Sequence, residues 1–287
     1  MEVIKEAKTM QDISESLRKA GRIITLVPTM GALHQGHLKL MEEAKNAGDI
    51  LVISIFVNPT QFGPNEDYER YPRAFENDKK LADGIGVDYI FYPSVEEMYP
   101  ENFSTYVTVE EYSKKLCGKS RPTHFRGVTT IVAKLFSIIK PHKAFFGWKD
   151  AQQLIIIKKM VKDLNMDVEV IGIEIVREPD GLALSSRNEY LSKEERRQAL
   201  SVSSSLRGVK ELVTNSVVDT AVIKRRIVDE LMLMNLIKID YVEIVDMETL
   251  NPVNKSKEDT LIAIAVWIGK TRLIDNIIIR KEDLPKY

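Results

Sequence analysis

Between positions 23 and 41 the chain reads IITLVPTMGALHQGHLKLM, an apolar run that enters a Gly-containing turn and then a helix opening with His34 and His37. No other segment constrains the fold as strongly. Ile23, Ile24, Leu26 and Val27 suit a strand buried on both faces, Pro28 and Gly31 end it, and Leu38, Leu40 and Met41 begin a helical apolar pattern. The turn therefore sits at a helix N-terminus, where unpaired backbone N–H groups and the helix dipole attract anions. His34 and His37 lie three apart, so both rings can face one side of the first turn and each can donate a hydrogen bond to a phosphate oxygen. Gly36 between them presents no side chain to block a ligand. Taken alone, the pattern fits equally well a surface histidine beside a helix-packing one.

Strand-like runs at 23–27, 50–57, 89–91 and 144–146 alternate with helical patterns around 35–47, 68–84, 128–140 and 150–164. Residues 1–21 read as a strand followed by an amphipathic helix. Such alternation implies an α/β, Rossmann-like domain with a mostly parallel sheet covered on both faces. Ligands of such sheets bind beyond the carboxyl ends of the strands, where 29–37, 58–63 and 147–150 all fall. A β-branched run at 168–176 precedes the turn signal Glu178-Pro179-Asp180-Gly181, which places a boundary between domains 1–176 and 177–287. Beyond it, Ser192 and Glu195 form a capping box opening a helix toward Val213, a second helix runs over 220–236, and strands follow at 239–245, 260–267 and 272–279. This pattern predicts a smaller α+β domain with an antiparallel sheet. The intervening residues 183–188 are expected to reach back over the nucleotide crevice as a clamp.

The 41 Lys and Arg residues nearly cancel the 42 Asp and Glu, so no global field favours nucleic acid or an anionic membrane. The single Cys117 cannot form an intramolecular disulfide, and no cysteine and histidine cluster has zinc-ligand spacing, which fits a reducing cytoplasm. The N-terminus lacks the apolar core of a signal peptide, and the apolar run 261–268 is too short to span a bilayer.

Five segments, PTMGALHQGH at 28–37, FVNPTQFGPNEDYERYPR at 56–73, RPTHFRGV at 121–128, FFGWKDAQQL at 145–154 and DGLALSSRNEYL at 180–191, occur in the order found in the pantoate–β-alanine ligases. The chain resembles that family, part of the HxGH nucleotidyltransferase superfamily that also contains class I aminoacyl-tRNA synthetases. The resemblance implies ATP-dependent condensation of pantoate with β-alanine to pantothenate, AMP and pyrophosphate through a pantoyl-adenylate, with a Mg²⁺ requirement and a homodimer. Independently of the family, adenylating a carboxylate needs positive charge and hydrogen-bond donors around the α-phosphate and the leaving pyrophosphate, but no protein nucleophile.

By resemblance, His34 and His37 contact the ATP phosphates, and Thr29, Met30, Gly31 and Gly36 line the shared reaction centre. Lys149 stabilises charge at the transferring phosphorus, with Gly147 and Asp150 beside the ribose. Ser185, Ser186 and Arg187 grip the β- and γ-phosphates, and Val176 and Leu184 complete the ATP-binding set. Gln61 and Gln153 match the positions that hold pantoate, and Asn58 matches an active-site position. Arg121, His124 and Arg126 form a basic segment suited to phosphate or to the β-alanine carboxylate, or else an exposed loop. Asp78 is either a neighbour of Mg²⁺ or part of a solvated, charged helix face. Thr123 and Trp148 depart from the family, which often has Gly and a polar residue there. Three other readings stay open: a nucleotidyltransferase acting on a phosphate acceptor, a tRNA-charging enzyme, which the charge balance disfavours, and a non-catalytic nucleotide-binding regulator.

Overall fold

A computed structural model describes residues 1–64, 66–215, 218–256 and 259–284, so Asn65 of the 56–73 motif lies outside the described residues. Two compact units emerge: the first comprises Met1–Lys114, Arg121–Trp148 and Gln152–Glu174, and the second Lys115–Ser120, Lys149–Ala151 and Ile175–Tyr287.

In the first unit β1 (Glu2–Ile4) and α1 (Ala7–Lys19) lead into β2 (Ile24–Thr29), α2 (Gln35–Asn46), β3 (Ile50–Ile55), α3 (Phe75–Ile85) and β4 (Tyr89–Phe91). Single-turn helices α4 (Val95–Met98) and α5 (Glu110–Ser113) follow, and after α6 (Cys117–Ser120), which belongs to the second unit, come α7 (His124–Ile139), β5 (Lys143–Gly147), α8 (Ala151–Asp163) and β6 (Glu169–Ile173). The six strands form one parallel sheet in the order β1-β4-β3-β2-β5-β6. Alternate residues of β2 and β3 enter different cores: Ile24, Leu26 and Val52 pack with Met10 and the apolar face of α7, whereas Val27, Leu51 and Ile53 pack with Leu38, Met41 and Ala44 of α2 and Ala82 of α3. This two-sided burial is why β2 and β3 read as near-continuous apolar runs.

Among the boundaries that differ from expectation, two have a cause in proline. Pro28 does not end β2 but pairs with Ser54 inside it. Pairing with β5 covers only Thr25 and Leu26, so the missing N–H of Pro28 falls where the ladder on that side has ended. The helix expected over 68–84 begins only at Phe75, because Pro72 disfavours helical backbone at the residue before it and Arg73 is instead hydrogen-bonded to the carbonyls of Tyr68 and Tyr71.

The second unit holds α9 (Lys193–Asn215), α10 (Thr220–Met232) and the antiparallel sheet β7-β8-β9 (Ile237–Asp246, Thr260–Ile268, Thr271–Ile279). The capping box is present: Ser192 N–H donates to Glu195 Oε2 at 2.8 Å and Glu195 N–H to Ser192 Oγ at 3.3 Å. Ala199, Val202, Leu206 and Val209 of α9 and Ile223, Ile227 and Leu231 of α10 fall at helical spacing and bury against Val242, Ile262 and Ile264. Each fully buried Leu or Ile contributes about 1.5–3 kcal/mol. No helix among the described residues is long and apolar enough to cross a membrane.

Candidate active site

The order of the parallel sheet reverses between β2 and β5, and the crevice beyond the carboxyl ends of strands at such a reversal is where open α/β sheets bind ligands. Residues 30–34 leave β2 at this point and Gly147 ends β5 beside it. Thr29 Oγ1 donates to the Ser54 carbonyl at 2.8 Å and accepts the Gly31 N–H at 3.1 Å, turning the chain at the strand end. Gly31 and Ala32 then adopt φ of 82° and 51°, a left-handed stretch that a side chain at position 31 would strain. There is no room for one either, since a Cβ on Gly31 would stand 2.9 Å from Asp78 Oδ2.

His34 is the N-cap of α2. Its Nδ1 accepts the Gly36 N–H at 3.2 Å, and His37 Nδ1 accepts the His34 N–H at 3.3 Å, so the two histidines form a reciprocal capping box. A ring nitrogen that accepts carries no proton, so in each neutral imidazole the proton sits on Nε2. With ring centroids 4.1 Å apart, the pair therefore offers two N–H donors at the positive end of a helix. The expectation of two rings on one side of the first turn holds in this form.

Asp78 is not on a solvated face. It is 1% exposed, and its two oxygens accept the N–H groups of Ala32 at 2.9 Å and Leu33 at 2.8 Å. Burial pushes its carboxyl above the usual aspartate range, an effect these two bonds offset only in part. The residue anchors the turn that carries the histidines. Its signal in the sequence was its place on the apolar stripe of α3 with Phe75, Ala82 and Ile85.

Asn58 and Gln61 occupy the turn after β3. Asn58 is 1% exposed and committed to the protein: Nδ2 donates to Gln61 Oε1 and the Gly127 carbonyl, and Oδ1 accepts from Tyr99 OH at 2.8 Å and Thr60 Oγ1 at 3.0 Å. It shapes the turn. Gln61 Nε2 points at Met30 Sδ, which ties the turn to the 30–34 loop. The Gln61 carbonyl accepts from Arg121 Nη2 at 3.2 Å and stands 2.9 Å from His124 Nδ1, while Arg121 Nε donates to Glu66 Oε1 at 2.7 Å. Desolvation alone would raise the Glu66 pKa, but Arg121 holds it below the usual carboxylate range. Arg121 thus has a carboxylate partner already, while Arg126 is exposed but lies on the first turn of α7, its guanidinium over the Tyr106 ring at 4.4 Å. Gln153, half-buried on α8, has no hydrogen-bond partner for its side chain among the described residues. Trp148 packs against Gly172, where a Cβ would come within 2.6 Å of the indole, and Lys158 lies over its ring. Thr123 precedes α7, its carbonyl accepting the Gly127 N–H.

In the second unit, Lys149 is 22% exposed along its side chain and lies 3.6 Å from Asp150 Oδ2. The segment 176–184 forms a short hairpin: Leu184 N–H donates to the Val176 carbonyl at 3.0 Å, Arg177 bridges to Ala183, and Gly181 has φ of 95° at the turn. It delivers Ser185, whose Oγ accepts the Arg187 N–H at 3.3 Å and caps the 3₁₀ turn Ser186–Tyr190. Asn188 braces that turn by donating to the Ala183 carbonyl and Glu178 Oε1.

A family model described as Pantoate-beta-alanine ligase matches residues 2–278. The chain belongs to this family. It is 57% identical over 279 residues to the pantothenate synthetase of Thermotoga petrophila, covering 97% of this chain and 100% of that one. The crystal structure of pantothenate synthetase from Thermus thermophilus superposes with a TM-score of 0.91 at 42% identity, covering 98% of this chain and all of the other. A pantoate–β-alanine ligase from Francisella tularensis, solved in complex with β,γ-ATP and β-alanine, matches with a TM-score of 0.79 at 35% identity over 97% of each chain. The α/β architecture expected from the sequence is the architecture of these ligases. As a member, the protein is a ligase that forms pantothenate from pantoate and β-alanine.

Proposed function

We propose that the ligase uses ATP to activate pantoate as pantoyl-adenylate before β-alanine enters, and the observation that carries this reading is the pair of Nε2 donors of His34 and His37 at the α2 N-terminus. In the first step a pantoate carboxylate oxygen attacks the α-phosphorus and the bond to pyrophosphate breaks. In the second the β-alanine amine attacks the acyl carbon, loses a proton and expels AMP. The first step moves negative charge onto the departing pyrophosphate, so its barrier falls with every fixed donor aimed there.

His34 and His37 supply such donors, and the family resemblance assigns the same task to the Lys149 cation, the Ser185 and Ser186 hydroxyls and the Arg187 guanidinium. Thr29, Met30, Gly31, Gly36, Gly147, Asp150, Val176 and Leu184 complete the nucleotide contacts. On this reading residues 1–176 act as the catalytic domain and 177–287 as a smaller lid domain. Gln61 and Gln153 hold pantoate through neutral amides, which suit its two hydroxyls and avoid burying a further charge. Asn58 and Arg121 act one step back, shaping the Gln61 turn, because their polar groups already serve protein partners.

Mg²⁺ enters with the nucleotide. Among the described residues no three His, Cys, Asp or Glu side chains cluster to hold a metal, and Asp78 spends both oxygens on the 30–34 loop. Mg²⁺ is commonly held by substrate phosphates and water with few protein ligands, so MgATP is the substrate form. A cytoplasmic homodimer belongs to the same proposal. The deciding experiment is exchange of labelled pyrophosphate into ATP with Mg²⁺ and pantoate present and β-alanine absent. Pantoate-dependent exchange is expected. Absence of exchange, together with absence of AMP formation when β-alanine is added, refutes the adenylate route.

A further inference from the structure

Strand β9 carries two consecutive buried polar residues, Asp275 and Asn276, each 4% exposed, beside the aliphatic core of the second unit. Neighbouring residues of a strand face opposite sides of the sheet, so this pair can serve two separate segments at once. Asp275 receives Arg177 in a two-point grip, Nη1 to Oδ2 at 2.7 Å and Nη2 to Oδ1 at 2.9 Å, and Oδ1 also accepts the Asn276 N–H at 2.8 Å. Arg177 Nη1 reaches on to the Gly181 carbonyl at 3.1 Å, across the turn of the hairpin that delivers Ser185, Ser186 and Arg187. Asn276 donates from Nδ2 to the Lys149 carbonyl at 3.0 Å.

We infer that Asp275 and Asn276 are positioning residues for the nucleotide site, setting Lys149 and the Val176–Arg187 hairpin in one frame through β9. The physical reason is that the side chains concerned leave short segments with little core of their own. Lys149 lies in the 3₁₀ turn Trp148–Asp150, which buries none of its residues, and the hairpin contributes only Leu182 and Ala183 to the buried set. A hydrogen bond from a buried amide to the Lys149 main chain restricts where the ammonium can reach. A bidentate carboxylate–guanidinium pair is the strongest orienting contact such a hairpin can take. The inference rests on the phosphate-binding roles proposed for Lys149 and Ser185–Arg187.

The test is Asn276→Asp, which keeps size but replaces the donor facing the Lys149 carbonyl with an acceptor, measured alone and on a Lys149→Ala background. The readout is the steady-state rate of pantoate-dependent pyrophosphate exchange into ATP, with thermal unfolding alongside. Displacing a catalytic group by a fraction of an ångström to an ångström costs roughly tenfold to a hundredfold in rate. A loss of that size is expected from Asn276→Asp alone, with an unchanged KM for pantoate and no further loss once Lys149 is Ala. Asp275→Asn, which weakens the hold on Arg177, is expected to raise the KM for ATP, and Arg177→Lys, which loses the two-point grip, to raise it likewise. Equal losses from Asn276→Asp with and without Lys149, or a fall in Tm with unchanged rate, overturn the inference while leaving the role of Lys149 standing. An unimpaired Lys149→Ala enzyme removes the reading beneath it and the inference together.

Discussion

The two segments proposed to meet the ATP phosphates are held by different means. The Thr29–His37 turn of the first unit is fixed by backbone hydrogen bonds, a histidine capping box and one buried carboxylate, Asp78, at 1% exposure. The hairpin of the second unit closes through its own backbone bonds but is tied down by ion pairs: Arg177 with Asp275, and Arg196 with both Glu178 and Asp180, the last three each about a quarter to a third exposed. Geometry in the first segment is set by packing that forms with the sheet itself. In the second it depends on side-chain charges, which water and salt weaken. The turn and the hairpin are thus built from different interactions, and perturbations can tell them apart.

Removing Asp78 should have the largest effect. Asp78→Ala leaves two buried N–H groups without acceptors, at about 1–3 kcal/mol each, and frees a left-handed loop. Chemical denaturation should show a loss of that order, and the KM for ATP should rise with it. Stability within about 0.5 kcal/mol of the parent, the range of a neutral surface change, would mean that the histidine capping box suffices and the buried carboxylate is dispensable.

Gly172→Ala comes next. A Cβ there meets Trp148 Nε1 and Leu154 Cδ2, both at 2.6 Å, so the ring at the end of β5 must shift, at a typical overpacking cost of about 1–3 kcal/mol. Pairing it with Trp148→Ala should recover part of that loss. If the double variant is as unstable as the sum of the singles, Trp148 is not what Gly172 makes room for.

What the sequence disclosed follows the same division. The His34–His37 pair and the Ser192–Glu195 box depend on neighbours a few residues away, and β2 announces itself by its own apolar run, so local pattern was enough to find them. Asp78, in contrast, meets Ala32 and Leu33 across forty-six and forty-five positions of chain, so its place on the apolar stripe of α3 could mark it as buried but not what it binds. Arg121 read as an anion binder because its partner Glu66 is fifty-five positions away. The Asp275–Arg177 pair lies farther apart still, at ninety-eight. Long-range pairing of charges was the part that spacing could not show.

The smallest effect, and the sharpest test of the contrast, is Arg196→Ala. A partly exposed ion pair is worth about 0–1 kcal/mol, so the loss should be of that size and shrink further in molar salt, unlike the loss in Asp78→Ala. Acid should separate the two segments by sign. Hydrogen bonding from Arg196 holds the Glu178 carboxyl below its usual range, so its contribution is complete above the ordinary glutamate pKa and disappears as pH falls through the lowered folded value. Burial sets Asp78 the other way: with its folded pKa raised, its titration contributes stability in full below the ordinary aspartate pKa and loses it as pH rises through the raised value. The difference in stability between parent and Arg196→Ala should therefore close as pH falls, while that between parent and Asp78→Ala should widen. Two difference curves running in the same direction would mean that both segments are held by the same kind of charge, and the division between packed turn and ion-paired hairpin would fail.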